Sequence, residues 1–516
     1  MSFRVRRRIK ALSWALLSPF LLVLSFPEWD LGFLAWIALL PLLLALRGKN
    51  VTSAFFFSFF CGIVFFLGVF HWILQVPKYT GLHHALLAIY LGSYFGLFGM
   101  TFNFVSIRSG VTRALFAAPF LWVSLEYFRS NFSFLALPWA LLAHSQYQYP
   151  PVIQIASLTG TYGISFLIVL VNAVLAALVL PASKKRKPLI LMAASLAAFT
   201  WVYGQLAISR PIAGDTINVS LIQGNIEQSR KWDPRFADEI MRVYAGLTRE
   251  ASKEKPDLII WPETATPGSI ALDRDLNREV RAIAQEASAP LLLGSAHPQK
   301  FKQEEHASHY YNSAYLIFPH PCDRNGQRYD KIRLFPFGEY LPYEGFLPWH
   351  FLSVMPSARY LAGKEWKVFD HPSFRFGVTV CWENLFPDLF RKMVSRGAQF
   401  MVNITNEAHF GKTAAPYQLA AASVFRAVEH RVFVVRCANT GISCVIDPYG
   451  RIVNRVQDQT GRDSFIRGRT SAQIAPLESR TFYTLHGDWF VWLAITTSVV
   501  FLVYAGLRKP SRKLGS

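Results

Sequence analysis

The chain has 516 residues, 52% of them hydrophobic and 15% aromatic, with a formal net charge of +20. That apolar share excludes a disordered chain, and the length allows more than one domain. The charge does not mark a nucleic-acid binder: residues 208–488 carry 34 of the 53 basic and 30 of the 33 acidic side chains, so the excess sits in short connections between hydrophobic segments.

In chain order, eight segments approach the roughly 20 apolar residues that a bilayer core requires. They are 11–27, 32–47, 54–75, 84–106, 112–128, 163–181, 188–207 and 489–507. Arg4, Arg6, Arg7, Arg8 and Lys10 precede the first, Arg47 and Lys49 follow the second, and Arg108 and Arg113 follow the fourth. Lys184, Lys185, Arg186 and Lys187 follow the sixth, and Arg508, Lys509, Arg512 and Lys513 close the chain. The loops between hold Glu28 and Asp30, then Lys78, then Arg129. Positive loops stay in the cytoplasm, so the amino terminus is expected there and seven spans carry the polar domain to the far side. The first segment lacks a small-residue cleavage site before Pro27 and reads as a retained span rather than a signal peptide. The loop 129–162, with Trp139, Tyr147, Tyr149, Pro150 and Pro151, reads either as an interfacial aromatic segment or as a packing loop between helices.

From Ile217 to about Ile466, apolar runs alternate with amphipathic stretches. Val219–Ile222, Leu258–Ile260, Leu291–Leu293, Val378–Val380, Met401–Ile404 and Val432–Val435 read as strands, Leu276–Glu286 and Gln418–His430 as helices. Ile442–Ile446, the turn Asp447-Pro448-Tyr449-Gly450 and Arg451–Val453 read as a hairpin. The expected organisation is a seven-helix membrane domain (1–207), a layered α/β domain (208–488) inserted between helices 7 and 8, and a last helix with a basic tail (489–516).

Five cysteines, Cys61, Cys322, Cys381, Cys437 and Cys444, lack the paired spacing of a zinc site or a disulfide scaffold. Cys381 stands apart because it follows the strand Phe376–Val380 and opens the turn Cys381-Trp382-Glu383-Asn384. Glu263 and Lys331 also lie at or beyond strand ends, where side chains of an α/β domain converge on a pocket. A carboxylate to take a proton, a cation to hold an oxyanion and a thiol to attack form a set suited to acyl transfer through a thioester, with the Trp382 N–H as a second oxyanion donor. Taken one at a time, the bland readings are a solvated glutamate, a solvated lysine and a packed cysteine.

The three blocks together are more specific. Trp261-Pro262-Glu263, Tyr329-Asp330-Lys331 with Pro336-Phe337-Gly338-Glu339, and Gly377–Glu383 resemble the catalytic blocks of the nitrilase, or carbon–nitrogen hydrolase, superfamily. That resemblance implies an αββα sandwich with a Glu-Lys-Cys triad. With seven helices before this domain and one after it, the whole chain is similar to the apolipoprotein N-acyltransferase family; Gln223–Ile226 with Lys231-Trp232, Phe337–Pro342 and Arg436–Ser443 add to the likeness. It implies Glu263 as general base, Lys331 as transition-state stabiliser and Cys381 as nucleophile, with Glu339 and Glu383 as nearby carboxylates and Trp232 at the substrate access. It also implies a phospholipid acyl donor, with phosphatidylethanolamine expected, diacylated apolipoproteins as acceptors and no metal or cofactor. The expected location is a bacterial cytoplasmic (inner) membrane, with the domain facing the periplasm. Trp382 stands where the family often has tyrosine, and Asn406-Glu407-Ala408-His409-Phe410-Gly411 where it commonly reads Asn-Asp-Ala-Trp-Phe-Gly.

The segment Leu341–Ala362, with Phe346, Trp349, Phe351 and Met355, reads either as a lid dipping into the outer leaflet or as an ordinary surface loop. Two rival functions stand beside acyl transfer: a membrane-tethered amidase or nitrilase that hydrolyses its substrate, and a transporter with a binding domain. The spans are nearly free of ionisable residues apart from Glu126, which places transport last.

Overall fold

The computed structural model describes residues 16–180, 186–299, 309–320, 324, 326–346, 349 and 359–508. The chain divides into two compact units, one of residues up to Leu74, Tyr79–Arg210 and from His486 onward, the other of Gln75–Lys78 and Pro211–Leu485. Cys322, the basic stretches Arg4–Lys10, 184–185 and 509–513, and residues 347, 348 and 350–358 of the expected lid lie outside the described residues.

Among the described residues of the first unit, five helices are long and apolar enough to cross a membrane: Val51–Val69, Gly81–Ser109, Tyr162–Val179, Lys187–Ile208 and Trp489–Gly506. The other three expected segments differ. The first is helical over 16–24, its start lying outside the described residues. The second is broken into a 3-10 turn, Gly32–Leu34, and two short helices, Ala35–Ala38 and Leu40–Ala45. Pro41, which has no amide to donate, sits in the first turn of the latter. The fifth, Val111–Asn131, carries Arg113, Pro119, Glu126 and Arg129 and is more polar than the rest.

Arg129, assigned to an outer loop from the sequence, lies inside that helix and is 3% exposed. Its guanidinium donates to the Trp139 and Ala140 carbonyls at 2.8 and 3.4 Å, and Glu126 Oε1 accepts from the Leu142 amide at 2.7 Å. Backbone groups among apolar helices need such partners, so the two charges serve the irregular segment that follows them. Trp139 is buried and packs on Trp72 with ring centroids 4.8 Å apart. Of the two readings of 129–162, the packing loop is the one observed.

The second unit contains β1 (Ile217–Gln223), β2 (Leu258–Ile260), β3 (Leu291–Gln299), β4 (His309–Ile317), β5 (Arg328–Asp330), β6 (Val368–Asp370), β7 (Arg375–Val380), β8 (Phe400–Thr405), β9 (Phe433–Ala438), β10 (Cys444–Ile446), β11 (Ile452–Arg455) and β12 (Gly468–Ile474). They form two sheets of order β12-β1-β2-β3-β4-β5 and β11-β10-β9-β8-β7-β6. Each has a parallel centre, β1-β2-β3 and β7-β8-β9, with antiparallel strands outside it. The central strands are buried along their length because both faces are covered, as parallel strands require.

Helices Ala237–Ser252 and Arg274–Ala287 cover the first sheet, where Ile240, Tyr244, Val280 and Ile283 pack with Ile222, Ile259 and Leu293. Asp273 starts the second helix by accepting from the Asp275 and Leu276 amides, both at 3.0 Å. Over the second sheet, Met393 of helix Pro387–Ser395 closes on Gly377 of β7, and the helix Ala415–His430, buried except at Tyr417, leads into β9. The bare faces of the sheets meet: Cys437 Sγ on β9 lies 3.4 Å from the Ile222 carbonyl and 3.2 Å from that of Ile260, and Asn439 Nδ2 donates to the Ile226 carbonyl at 2.8 Å. This αββα arrangement places the carboxyl ends of β2 and β7 where their following residues can share a site.

Candidate active site

β2 ends at Ile260, and the Trp261 amide continues the pairing by donating to the Leu292 carbonyl at 2.8 Å. The Trp261 ring stacks on Tyr244 and its indole donates to Thr248, which fixes the path of the next two residues. Gly294 then permits Glu263 to turn inward. A Cβ there would stand 2.4 Å from the Thr264 nitrogen and 2.7 Å from the Glu263 Cα, both backbone atoms. Glu263 is 6% exposed. Its Oε1 accepts from Asn312 Nδ2 and its Oε2 from the Asn406 amide, both at 2.7 Å.

Lys331 follows β5 and is 1% exposed. Its amide donates to the Asn312 carbonyl and its carbonyl accepts from the Gly363 amide. The ammonium is 2.9 Å from Glu339 and 3.7 Å from Glu263 Oε1, so it bridges two carboxylates. Asn312 Nδ2 completes the frame by donating to Glu263 at 2.7 Å and Glu339 at 3.0 Å. Burial opposes the charge on Lys331, but Glu339, Cys381 and Glu263 outweigh it and hold the ammonium protonated beyond its ordinary range.

Cys381 follows β7 with φ +58, a left-handed conformation that costs a non-glycine residue about 1–3 kcal/mol. Asn403 Nδ2 holds its carbonyl at 3.1 Å. Glu383 stabilises the same turn: its two oxygens accept from the Val380, Ile332 and Arg333 amides at 2.7–2.8 Å and from the Tyr329 hydroxyl. It thereby ties the turn after β7 to the segment that carries Lys331. Burial pushes the Glu383 carboxyl up to about 7, against those donors. Glu383→Gln turns one acceptor into an NH2 group facing amide donors. The expected loss is about 2–3 kcal/mol, read from thermal unfolding of the purified protein.

The thiol differs from the simple expectation that a nearby cation populates the thiolate. Burial, followed by Glu263, pushes Cys381 up to about 12, and Lys331 and Thr405 offset only part of that. The thiol is therefore neutral at physiological pH and needs a base as it reacts.

Glu263, Lys331, Cys381, Glu339 and Glu383 thus occupy one electrostatically linked cluster. Trp382 is 5% exposed, its ring held between Phe335 and Phe386 at 4.9 and 5.0 Å, so it forms a wall of the turn. Trp232 is 46% exposed and makes no part of the buried cluster, although Lys231 beside it does. The sequence reading missed Asn312 and the site-facing part of Lys231. Asn312 lies in a strand, β4, that was not expected, and Lys231 carried only a family likeness.

A family model described as apolipoprotein N-acyltransferase N-terminal domain matches residues 18–174, and one described as carbon-nitrogen hydrolase matches residues 218–474. The chain is 37% identical to the apolipoprotein N-acyltransferase of Geobacter metallireducens, over 96% of this chain and 95% of that one. It is 30% identical to that of Chlorobaculum tepidum over 96% of both, and 31% identical to that of Gloeobacter violaceus over 95% and 93%. With a nitrilase-like αββα unit, a run of membrane-length helices and full-length relatives of this kind, the chain belongs to the apolipoprotein N-acyltransferase family.

Proposed function

We propose that this acyltransferase moves an acyl chain from a phospholipid, through a thioester on Cys381, to the N-terminal cysteine amine of diacylated lipoproteins, the last step of their maturation. The observation that carries the reading is a buried ammonium set between two carboxylates and electrostatically coupled to a desolvated thiol, in a chain whose described residues include five helices of membrane length. A hydrolase of small amides has no need of such helices, whereas a donor with fatty chains is met at a bilayer. The full-length likeness to N-acyltransferases argues in the same direction and against simple hydrolysis.

In the first half of the cycle Glu263 accepts the thiol proton as sulfur attacks the ester carbonyl. Lys331 and the Trp382 N–H stabilise the oxyanion. Collapse expels the lysophospholipid oxygen, which takes the proton back from Glu263. The α-amine then attacks the thioester and Glu263 accepts its proton. Collapse leaves an amide, and the departing sulfur regains that proton. An amide is more stable than a thioester, so the second half is downhill. Glu339 holds Lys331 in place, Glu383 holds the turn, and Trp232 offers an exposed ring at the access.

The topology proposed with this function has eight spans, domain limits at 207/208 and 488/489, and a catalytic domain on the periplasmic side of the inner membrane. Phosphatidylethanolamine is the proposed donor. Incubation of the purified protein with labelled phospholipid, followed by mass spectrometry, is expected to give an acyl adduct on Cys381; free fatty acid with no adduct and no triacylated lipoprotein would sink the reading. Gly294→Ala pushes on the backbone of Glu263, and a displacement of that kind is expected to slow adduct formation on the order of 100-fold while costing about 1–3 kcal/mol of stability.

A further inference from the structure

Lys231 is 2% exposed, yet its ammonium makes no ion pair within 4.0 Å among the described residues. It donates instead to the backbone carbonyl of Glu263 at 3.0 Å. A buried ammonium resting on a neutral carbonyl is expensive, and a plain packing role is served better by an apolar side chain of the same length. The Glu263 peptide has reason to be held. Thr264 follows it at φ +44, and Gly294 lies so close that a Cβ there would stand 2.7 Å from the Glu263 Cα, so the peptide sits in a tight turn that the Lys231 contact holds from the carbonyl side. Gln228, three residues before Lys231, accepts from Asn406 Nδ2 at 2.9 Å, and the Asn406 amide binds Glu263 Oε2, so one loop supports the glutamate at two points.

On the acyl-transfer reading above, we propose that Lys231 is a positioning residue of the site: its charged ammonium pins the Glu263 peptide through the carbonyl and adds positive charge where Glu263 and Cys381 exchange a proton. The charge is conditional. Burial brings Lys231 down to about 8, with Glu263 and Cys381 opposing the shift. Below that pH the ammonium is charged, and above it the charge and its hold on the carbonyl weaken. The ionisable groups around it are Glu263, Cys381 and His409, with Lys331 and Glu339 in the same cluster. Burial holds His409 below its ordinary 6.5, Glu383 behind the turn titrates at about 7, Cys381 at about 12 and Lys331 higher still, so the group whose titration is centred between pH 7.5 and 9.5 is Lys231.

The test is single-turnover formation of the Cys381 adduct from a fluorescent phospholipid by the full-length protein in detergent, from pH 7.5 to 9.5. This half of the cycle contains no acceptor amine whose own titration would intrude. The wild-type rate is expected to fall about 5- to 20-fold across the window, the most that losing one charge-assisted hydrogen bond gives when a group near 8 is titrated over two pH units. Lys231→Met should be slower by the same factor at pH 7.5 and show no further decline, meeting the wild type at pH 9.5. Lys231→Arg, which stays charged, should keep most of the rate and lack the decline. A Lys231→Met rate equal to wild type at pH 7.5, or lower by a constant factor at every pH, would overturn the proposal. So would a flat wild-type profile, which needs no variant to fold. A wild-type protein that forms no adduct at any pH would instead bring down the acyl-transfer reading itself.

Discussion

Cys381→Ala is expected to reduce acyl transfer on the order of 10⁴-fold or more and to abolish the covalent adduct, because it removes the atom that carries the acyl chain. The fold should persist, since the methyl group keeps the left-handed turn and Asn403 still meets the backbone carbonyl. Cys381→Ser is expected to be nearly as slow. A buried hydroxyl is harder to deprotonate than a thiol, and the thiol is already pushed up to about 12 by burial and by Glu263. Labelled phospholipid, gel fluorescence and intact-protein mass give the readout. A labelled band of wild-type intensity in Cys381→Ala would assign the nucleophile elsewhere.

Glu263→Gln is expected to slow adduct formation by about 10²- to 10⁴-fold, the usual contribution of a general base. Two losses combine. The amide cannot accept a proton, and its NH2 faces either the Asn312 or the Asn406 donor, each of which had been met by its own carboxylate oxygen. Lys331, left with Glu339 as its remaining carboxylate, stays paired, so the protein should fold. Stopped-flow or quenched single turnover at saturating donor separates the chemical step from binding. An unchanged single-turnover rate would remove Glu263 from the reaction.

Much of the α/β unit was legible because several of its strands are short and apolar and end in turn chemistry. Leu276–Glu286 was read within three residues of the observed Arg274–Ala287, and the Asp447–Gly450 turn does join β10 to β11. β12, Gly468–Ile474, was not legible: it is partly exposed and polar, and it is a strand because β1 offers it an edge. Glu263 and Cys381 were marked by their place after apolar runs and Lys331 by its Tyr329-Asp330-Lys331 block, whereas Asn312 and Lys231 gain meaning only when segments far apart in the chain are brought together. In the apolar unit, composition alone did not distinguish a spanning helix from the broken run at 32–45, where Pro41 and three short pieces replace one helix. Arg129 misled for a similar reason. A charge next to an aromatic loop reads as a boundary, and here it is folded inward to satisfy that loop's carbonyls.

β12 also bears on engineering. Ile217 lies opposite Ile474 in an antiparallel register, so the first and last strands of this unit run side by side about 5 Å apart, one strand spacing. The same geometry makes β12 a clasp: trimming the chain before residue 468 would bare the whole length of β1 and invite sticking between copies.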